Sequence, residues 1–556
     1  VPRLHLLYSP PEPVASPGDD CAISLYDNGT DWGVRINAAD VALGGTAGVI
    51  CCNGGGNIAS RIILNTGASS LRTLRFGAGT WTNSNTAETI LPHDNTLIEG
   101  HGWDTILQEP PGDQPLGPPT ITSISASSTG GTLATGTYYY KRTSLDGFGG
   151  GESTPSAEVS VAVTGPTGSV TITYPFLNGA INDRFYRGTS SGGENVYFRQ
   201  PNGSTTWTDT GAAGTAGTPP SVNTAKLSQP LSWFLMRPLN AAGQRTNISM
   251  RNIQLLGMPG KIPNASQATV NTGLLNGGTY QNIWFNKTTA IGITIGETNN
   301  ASNVCQDIVM RGCKMTNVGG GVPPDFPGGG GVSCAIVNGN RITIDGNTFI
   351  DALGNTIIDL EPNTANDPIT NIWITNNYIS QEGTTGTVES FCFAFVTHAV
   401  IGAYGPILFQ GNTLRDSIVE TPPGSGKWFP GSGLNSILLN LDGVSGSGKI
   451  TIDNNDLRGC YSNCLVIQAL NDNTITNNHF FMGGDITVVG TNNTISGNYV
   501  SAANDQGDGT INSTIRELAG GDFNTLKNNQ VNIAEVIVGT HSTVSGETIV
   551  SRPSYP

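Results

Sequence analysis

Gly346-Asn347-Thr348-Phe349, Asn376-Asn377-Tyr378-Ile379, Gly411-Asn412-Thr413-Leu414, Asn454-Asn455-Asp456-Leu457, Asn477-Asn478-His479-Phe480, Gly497-Asn498-Tyr499-Val500 and Asn528-Asn529-Gln530-Val531 are seven copies of one pattern. Each is Gly or Asn, then Asn, one variable residue and a hydrophobe. Successive second asparagines lie 30, 35, 43, 23, 20 and 31 residues apart, so the turn is constant while the connections vary. A fixed unit recurring at 20–50 residues is the signature of a solenoid. Alternating aliphatics precede the turn, as in Ile342-Thr343-Ile344, Ile372-Trp373-Ile374 and Ile450-Thr451-Ile452. That is the period of a strand with one buried side. Asn and Gly accept the left-handed backbone a tight bend needs, and asparagines stacked coil on coil can hydrogen-bond along the axis, as in cross-β stacks. The pattern predicts a parallel β-helix.

Outward from the repeat, the bulk properties agree. A 556-residue chain exceeds one ordinary compact core, but a solenoid grows by adding coils. Charged residues make up 12% and glycines number 75, which suits strands and turns and leaves little room for exposed helix. The formal charge of −15 argues against nucleic acid as a partner, since phosphate contacts require clustered Lys and Arg. No stretch approaches 18 uninterrupted apolar residues, so no membrane span is expected. The chain starts at Val1 without a basic and apolar leader, as a mature secreted form would. An extracellular or cell-surface location is expected from fold class and composition.

Nine cysteines cannot all pair within one chain. Cys460 and Cys464 lack a second Cys or His pair at zinc-ligand spacing, so core thiols stacked in the coils, or one or two local disulfides, are expected in place of a metal. Cys51 and Cys52 are adjacent on a strand, point to opposite faces and therefore serve different ends.

Along the chain, residues 1–20 form a Pro-rich arm whose Leu4, Leu6, Leu7 and Tyr8 are expected to pack on the solenoid or on a neighbouring subunit, making a homo-oligomer or filament. Residues 21–117 carry a capping helix at 31–43, with Val34, Ile36, Ala39 and Leu43 available for one face, followed by the first coils. Gly44-Gly45 stop the helix. Residues 118–222 alternate like antiparallel strands, in Tyr138–Thr143, Glu158–Val163, Ser169–Ile172 and Arg184–Gly188, and are bracketed by Pro118-Pro119 and Pro219-Pro220. Residues 223–556 hold the main solenoid.

Asp31-Trp32, Ile36-Asn37-Ala38-Ala39, Leu74-Arg75-Phe76-Gly77-Ala78-Gly79-Thr80-Trp81 and Leu97-Ile98-Glu99-Gly100-His101-Gly102 together resemble the opening of pectate-lyase-superfamily β-helices, a pattern shared with phage tailspike depolymerases. The stretch 118–222 is similar to a fibronectin type III sandwich. The resemblance implies an all-β fold, a right-handed parallel β-helix with an N-terminal capping helix and an inserted β-sandwich, acting on or binding polysaccharide. It covers roughly 20–110 and 225–550. The chain lacks the successive Asn-Thr-Asp, Asp-Asp and Arg-Ile-Lys motifs of polygalacturonases and the acidic calcium cluster beside an Arg base of pectate lyases.

A second series of strands alternates with the Asn-turn strands: Ala335–Val337, Ile357–Glu361, Phe391–Thr397, Ile437–Asp442, Cys464–Leu470, Ile486–Val489, Thr514–Leu518 and Glu535–Val538. Its outward side chains would line a surface for an extended polymer. With Ile358 and Leu360 inward, Asp359 and Glu361 both face out, about 6.6 Å apart along the strand. That approaches the carboxyl separation of inverting glycosidases. Asp359 and Glu361 are the candidate catalytic pair; Glu297, His398, Arg415, Lys427, Trp428, Asn440 and Asp442 are candidate substrate contacts, with Trp428 to stack on a sugar and Lys427 to pair with an acidic one. The plainer reading of the acids is a solvated strand, and of His398 a strand-end hydrogen bond. Asp345 and Asp453 read as turn residues, and 319–331 as a glycine-rich rim. A polysaccharide hydrolase or lyase leads, the lyase alone calling for Ca2+; a noncatalytic adhesin and a structural spike or fibre subunit are the alternatives.

Overall fold

The computed structural model describes residues 30–550, apart from 65–69, 84–88, 109–115, 147–150, 202–204, 226–233, 236–243, 258–267, 289–290, 297–303, 319–331, 353–355, 382–390, 398–403, 421–427, 431–434, 442–445, 459–462, 482–484, 502–513 and a few single positions. Only the backbone is described for the strands between 418 and 447. The expected arm at 1–20 lies outside the described residues.

Each turn of the chain lays down three short strands on three faces. Gly339–Asp345 lies on the first face, Thr348–Ile350 on the second and Thr356–Leu360 on the third. Ile369–Thr375 then returns to the first, pairing in parallel with Ile342 opposite Ile372 and Ile344 opposite Ile374. The third face is a sheet of its own, twelve strands from Ile62–Leu64 to Ile515–Glu517. The first two faces join across the Asn turn into one 27-stranded sheet. This is a right-handed parallel β-helix, its interior filled by inward aliphatics such as Ile308, Ile342, Ile372, Ile407 and Ile450. Glu535–Val538, expected as a further third-face strand, makes only an isolated bridge, Arg516 to Val536.

Both positions of the repeat have distinct jobs. The first residue, Gly346, Asn376, Gly411, Asn454, Asn477, Gly497 or Asn528, has φ between 53° and 67°, the left-handed region. The second is buried and stacks. From Asn347 to Asn498, each backbone N–H and side-chain Nδ2 donates to the Oδ1 of the asparagine one coil on, at 2.8–3.1 Å. The remaining Nδ2 proton meets a main-chain carbonyl, as from Asn412 to Ile374 at 2.9 Å. Each buried amide is thereby satisfied. A shorter ladder, Asn473–Asn493–Asn524, runs where the chain enters the first face.

The helix Trp32–Leu43 packs on the first coil. Asp31 caps it through Gly33 N–H and also takes Ala59 N–H, both at 2.9 Å. Asn37 supplies the polar partners that a preceding strand would give: its Oδ1 accepts from Ile63 N–H and its Nδ2 donates to Arg61 O. Ile36 and Ala39 enter the core, and Gly44 ends the helix with positive φ. Val34, expected on the apolar face, is exposed, because the buried side is built from Gly33, Ile36, Ala39 and Asp40, the last paired with the buried Arg72 at 2.6 Å. No helix among the described residues is long and apolar enough to cross a membrane.

Within the third coil, between its second-face strand Thr105–Gln108 and its third-face strand Phe234–Leu235, stands an antiparallel sandwich. Ser123–Ser127, Ser169–Thr173 and Thr206–Asp209 form one sheet; Gly136–Asp146, Val159–Val163, Ala180–Gly188, Val196–Pro201 and Thr215–Ala216 form the other. Its core of Leu133, Tyr140, Val163, Val170, Ile172, Tyr174, Phe185 and Trp207 is separate from the solenoid core. Cys51 carries a disulfide while its neighbour Cys52 is a buried thiol in the core, as strand alternation requires. Cys305, Cys313 and Cys334 are further core thiols.

Candidate functional site

The strand Thr356–Leu360 does not alternate strictly. The ladder pairs Thr356 with Phe391 and then Ile358 with Phe393, passing over Ile357, which joins Ile358 and Leu360 in the core. Asp359 faces away from that core, in a row with Thr294, Ala335 and Ala394 of neighbouring coils. Alanine on either side leaves only methyl groups beside its carboxyl.

Asp359 is nonetheless 8% exposed, and its Oδ1 has no hydrogen-bond partner. Burial pushes its pKa up from the usual carboxylate value to about 8; the charge of Glu361, and then a hydrogen bond with Glu361, push the same way. At neutral pH the favoured state of this aspartate carries a proton. The plainer reading of Asp359 as a solvated surface acid is corrected by its burial, and its side chain hydrogen-bonds with that of Glu361.

Thr294, two strands from Asp359 in the same row and so about 9.6 Å away, also has a buried hydroxyl without a partner. Buried polar atoms are seldom left unpaired. Two such groups along one row mark the part of the third face with polar atoms still to satisfy. Thr294 was not singled out from sequence, since nothing local separates it from the many outward threonines of the other strands.

Of the expected contacts, Glu297, His398, Lys427 and Asp442 lie outside the described residues. Asn440 pairs through its backbone with Val396 and Gln468. This is the row one residue beyond the Leu360–Phe395 pair, hence the row of Glu361, two coils on. Trp428 lies on a short antiparallel hairpin opposite Glu420. Arg415 is not brought to Asp359: it follows the Asn412 turn, so it sits on the second face, where its Nη2 holds Asp456 Oδ2 at 2.8 Å. Asp345 and Asp453 serve the turns, accepting from Thr375 and Asn376, and from Gln410, Thr476 and Asn477. Among the described residues no group of three or more His, Cys, Asp or Glu side chains converges to hold a metal ion. Sequence reasoning also passed over an aromatic group on the second face, Trp103, Trp284 and Tyr378; the signal available was the outward parity of Trp284 between the inward Ile283 and Phe285.

No protein-family model and no curated protein matches the sequence. Solved structures give loose likenesses. The Azotobacter vinelandii mannuronan C-5 epimerase AlgE6 A-module is 11% identical, with 96% of this chain and 100% of that chain covered at a TM-score of 0.33. The Pseudomonas phage phi297 tailspike gp61 is 10% identical, with 94% and 75% covered at 0.34. The tailspike protein of E. coli bacteriophage HK620 in complex with pentasaccharide is 12% identical, with 91% and 68% covered at 0.31. Likenesses this loose assign no activity to this chain.

Proposed function

We propose that the protein binds an extended polysaccharide along the outward side of the third sheet and cleaves it, with Asp359 as the proton donor. The observation that carries this reading is a carboxyl held protonated near neutrality, beside a second carboxyl, with one oxygen unsatisfied. That meets the first requirement of a general acid, a proton retained at working pH. Glu361 is the positioning partner, and Thr294 extends the Asp359 row along the axis. The contact between the carboxyls favours a single acid over an inverting pair. Glycoside hydrolysis, with the proton delivered to the leaving oxygen, is the first assignment; elimination beside a uronate is the second.

The disulfide at Cys51 supports an oxidising, extracellular location. Membership of the pectate-lyase superfamily, and a fibronectin type III-like spacer at 118–222, belong to the same reading. The adhesin alternative is favoured by one observation, the exposed tryptophan on the second face. A polysaccharide panel read for both reducing ends and unsaturated products tests the proposal. Asp359→Asn should lower turnover at least a hundredfold on any polymer the wild type cleaves, with Glu361→Gln intermediate. Absence of cleavage by the wild type across the panel, or full turnover in Asp359→Asn, overturns it.

A further inference from the structure

The second face carries a group that the third-face reading does not use. Its outward row runs Gln254, Trp284, Lys314, Thr348, Tyr378 and Thr413 over six successive coils. Trp103 reaches the same place from the turn before Thr105–Gln108, its ring centroid 5.5 Å from that of Trp284 and tilted by 54°. Both indoles are pinned: Trp103 Nε1 donates to Asn282 O and Trp284 Nε1 to Thr316 Oγ1, each at 3.1 Å. Lys314 Nζ lies 4.8 Å from the Trp284 centroid and 5.9 Å from that of Trp103. No carboxylate among the described residues pairs with it, in a chain of net charge −15.

Trp103 is 36% and Tyr378 41% exposed, large values for rings fixed on a rigid sheet. From Trp284 to Tyr378 is three inter-strand steps, about 14 Å, with the small Thr348 between Lys314 and Tyr378. Pinned aromatic faces lose little freedom on stacking. A lysine held against indoles by cation–π attraction is ordered but keeps its charge for an anion.

We infer that Trp103, Trp284, Lys314 and Tyr378 form a second carbohydrate site, distinct from the Asp359 row, which takes a short run of an acidic polysaccharide lying along the solenoid axis. The rings stack on the apolar faces of the sugars, Lys314 takes a uronate carboxylate, and Thr348 leaves room for the unit between. The neutral face of a sugar accounts for the aromatics alone; the unneutralised lysine selects the acidic class. This rests on the polysaccharide reading for the kind of ligand, but not on catalysis by Asp359.

The test is titration of the full chain with hexamers of polygalacturonate, alginate and hyaluronan, and with methyl-esterified oligogalacturonate, followed by tryptophan fluorescence and calorimetry. At least one acidic hexamer should bind and perturb fluorescence, the esterified one at least tenfold more weakly. Lys314→Met, which keeps the packing stem, should abolish that preference, and Tyr378→Ala should weaken binding of both forms with an unchanged melting temperature. Asp359→Asn should bind with undiminished fluorescence response whether or not the wild type cleaves anything, which separates this site from the catalytic proposal. Equal affinity of Lys314→Met and wild type for the acidic hexamers, or no fluorescence response to any of them, overturns the inference.

Discussion

Asp359 links chemistry to stability through the same buried proton. Its folded pKa, about 8, lies above the ordinary value of 3.8, so the folded state binds the proton more tightly than the unfolded chain does. The corresponding stabilisation is complete below about pH 4 and is lost as pH rises through about 8. A tenfold difference in proton affinity between the two states corresponds to ~1.4 kcal/mol, so the effect is on the order of a few kcal/mol across that window. Asparagine at 359 never ionises and should remove the dependence. Urea unfolding of wild type and Asp359→Asn at pH 5 and pH 8 checks this: the variant should gain on the wild type by a few kcal/mol between the two. Parallel pH profiles would place Asp359 in water. The comparison must be a difference, because Glu535, raised to about 7 chiefly by burial, acts in the same direction. Spacing alone placed Asp359 on the outward side; it could not reveal the burial, which depends on groups distant in sequence.

At the scale of the coil, the asparagine is worth more than its conformational tolerance. Asn412 accepts from Asn377 N–H and Nδ2, and donates to Asn455 Oδ1 and Ile374 O, all buried. Asn412→Ala would strand several polar atoms without water, each costing about 1–3 kcal/mol. The expected loss is at least about 3 kcal/mol in chemical denaturation, whereas Gly411→Asn, which copies Asn376 and Asn454 at φ near 55°, should cost under about 1 kcal/mol. A small effect of Asn412→Ala would mean the ladder follows from the strands and does not hold them. This element was legible because turn chemistry and strand period repeat together seven times. The second ladder was not: Asn473, Asn493 and Asn524 recur only three times, and Asn493 and Asn473 sit in Asn-rich runs where no single residue stands out. Helix Trp32–Leu43 was found to within one residue, but its buried side was misassigned at Val34, because Gly33 and Asp40 contribute contact through absence of a side chain and through a paired charge, neither of which hydrophobicity reports.

For the molecule as a whole, two cores imply two cooperative units. The sandwich interrupts the solenoid between Thr105–Gln108 and the strand Phe234–Leu235, yet the coil on either side is continuous, with Leu107 paired to Leu255 across the insertion. Replacing 118–222 by a short Gly/Ser linker should leave the solenoid transition in calorimetry within a few degrees of its original position while a separate sandwich transition disappears. Collapse of the remaining transition would show that the insertion is part of the third coil's core.

The asparagine ladder also has a direction. Every side-chain amide points its oxygen toward the preceding coil and its Nδ2 toward the next, so the dipoles add along the axis, as peptide dipoles do along a helix. Polarised chains of this kind strengthen one another and leave a positive pole at the C-terminal end. There the last Nδ2 of each ladder meets a carboxylate, Asn529 on Glu535 Oε1 and Asn524 on Glu517 Oε1. A carboxyl oxygen accepts the N–H hydrogen bond but has no amide hydrogen to pass on. Glu535 and Glu517 therefore act as chemical full stops, each ending its ladder on an acceptor, and Glu517, its pKa lowered by hydrogen bonds that include Asn524, carries the charge that neutralises its pole.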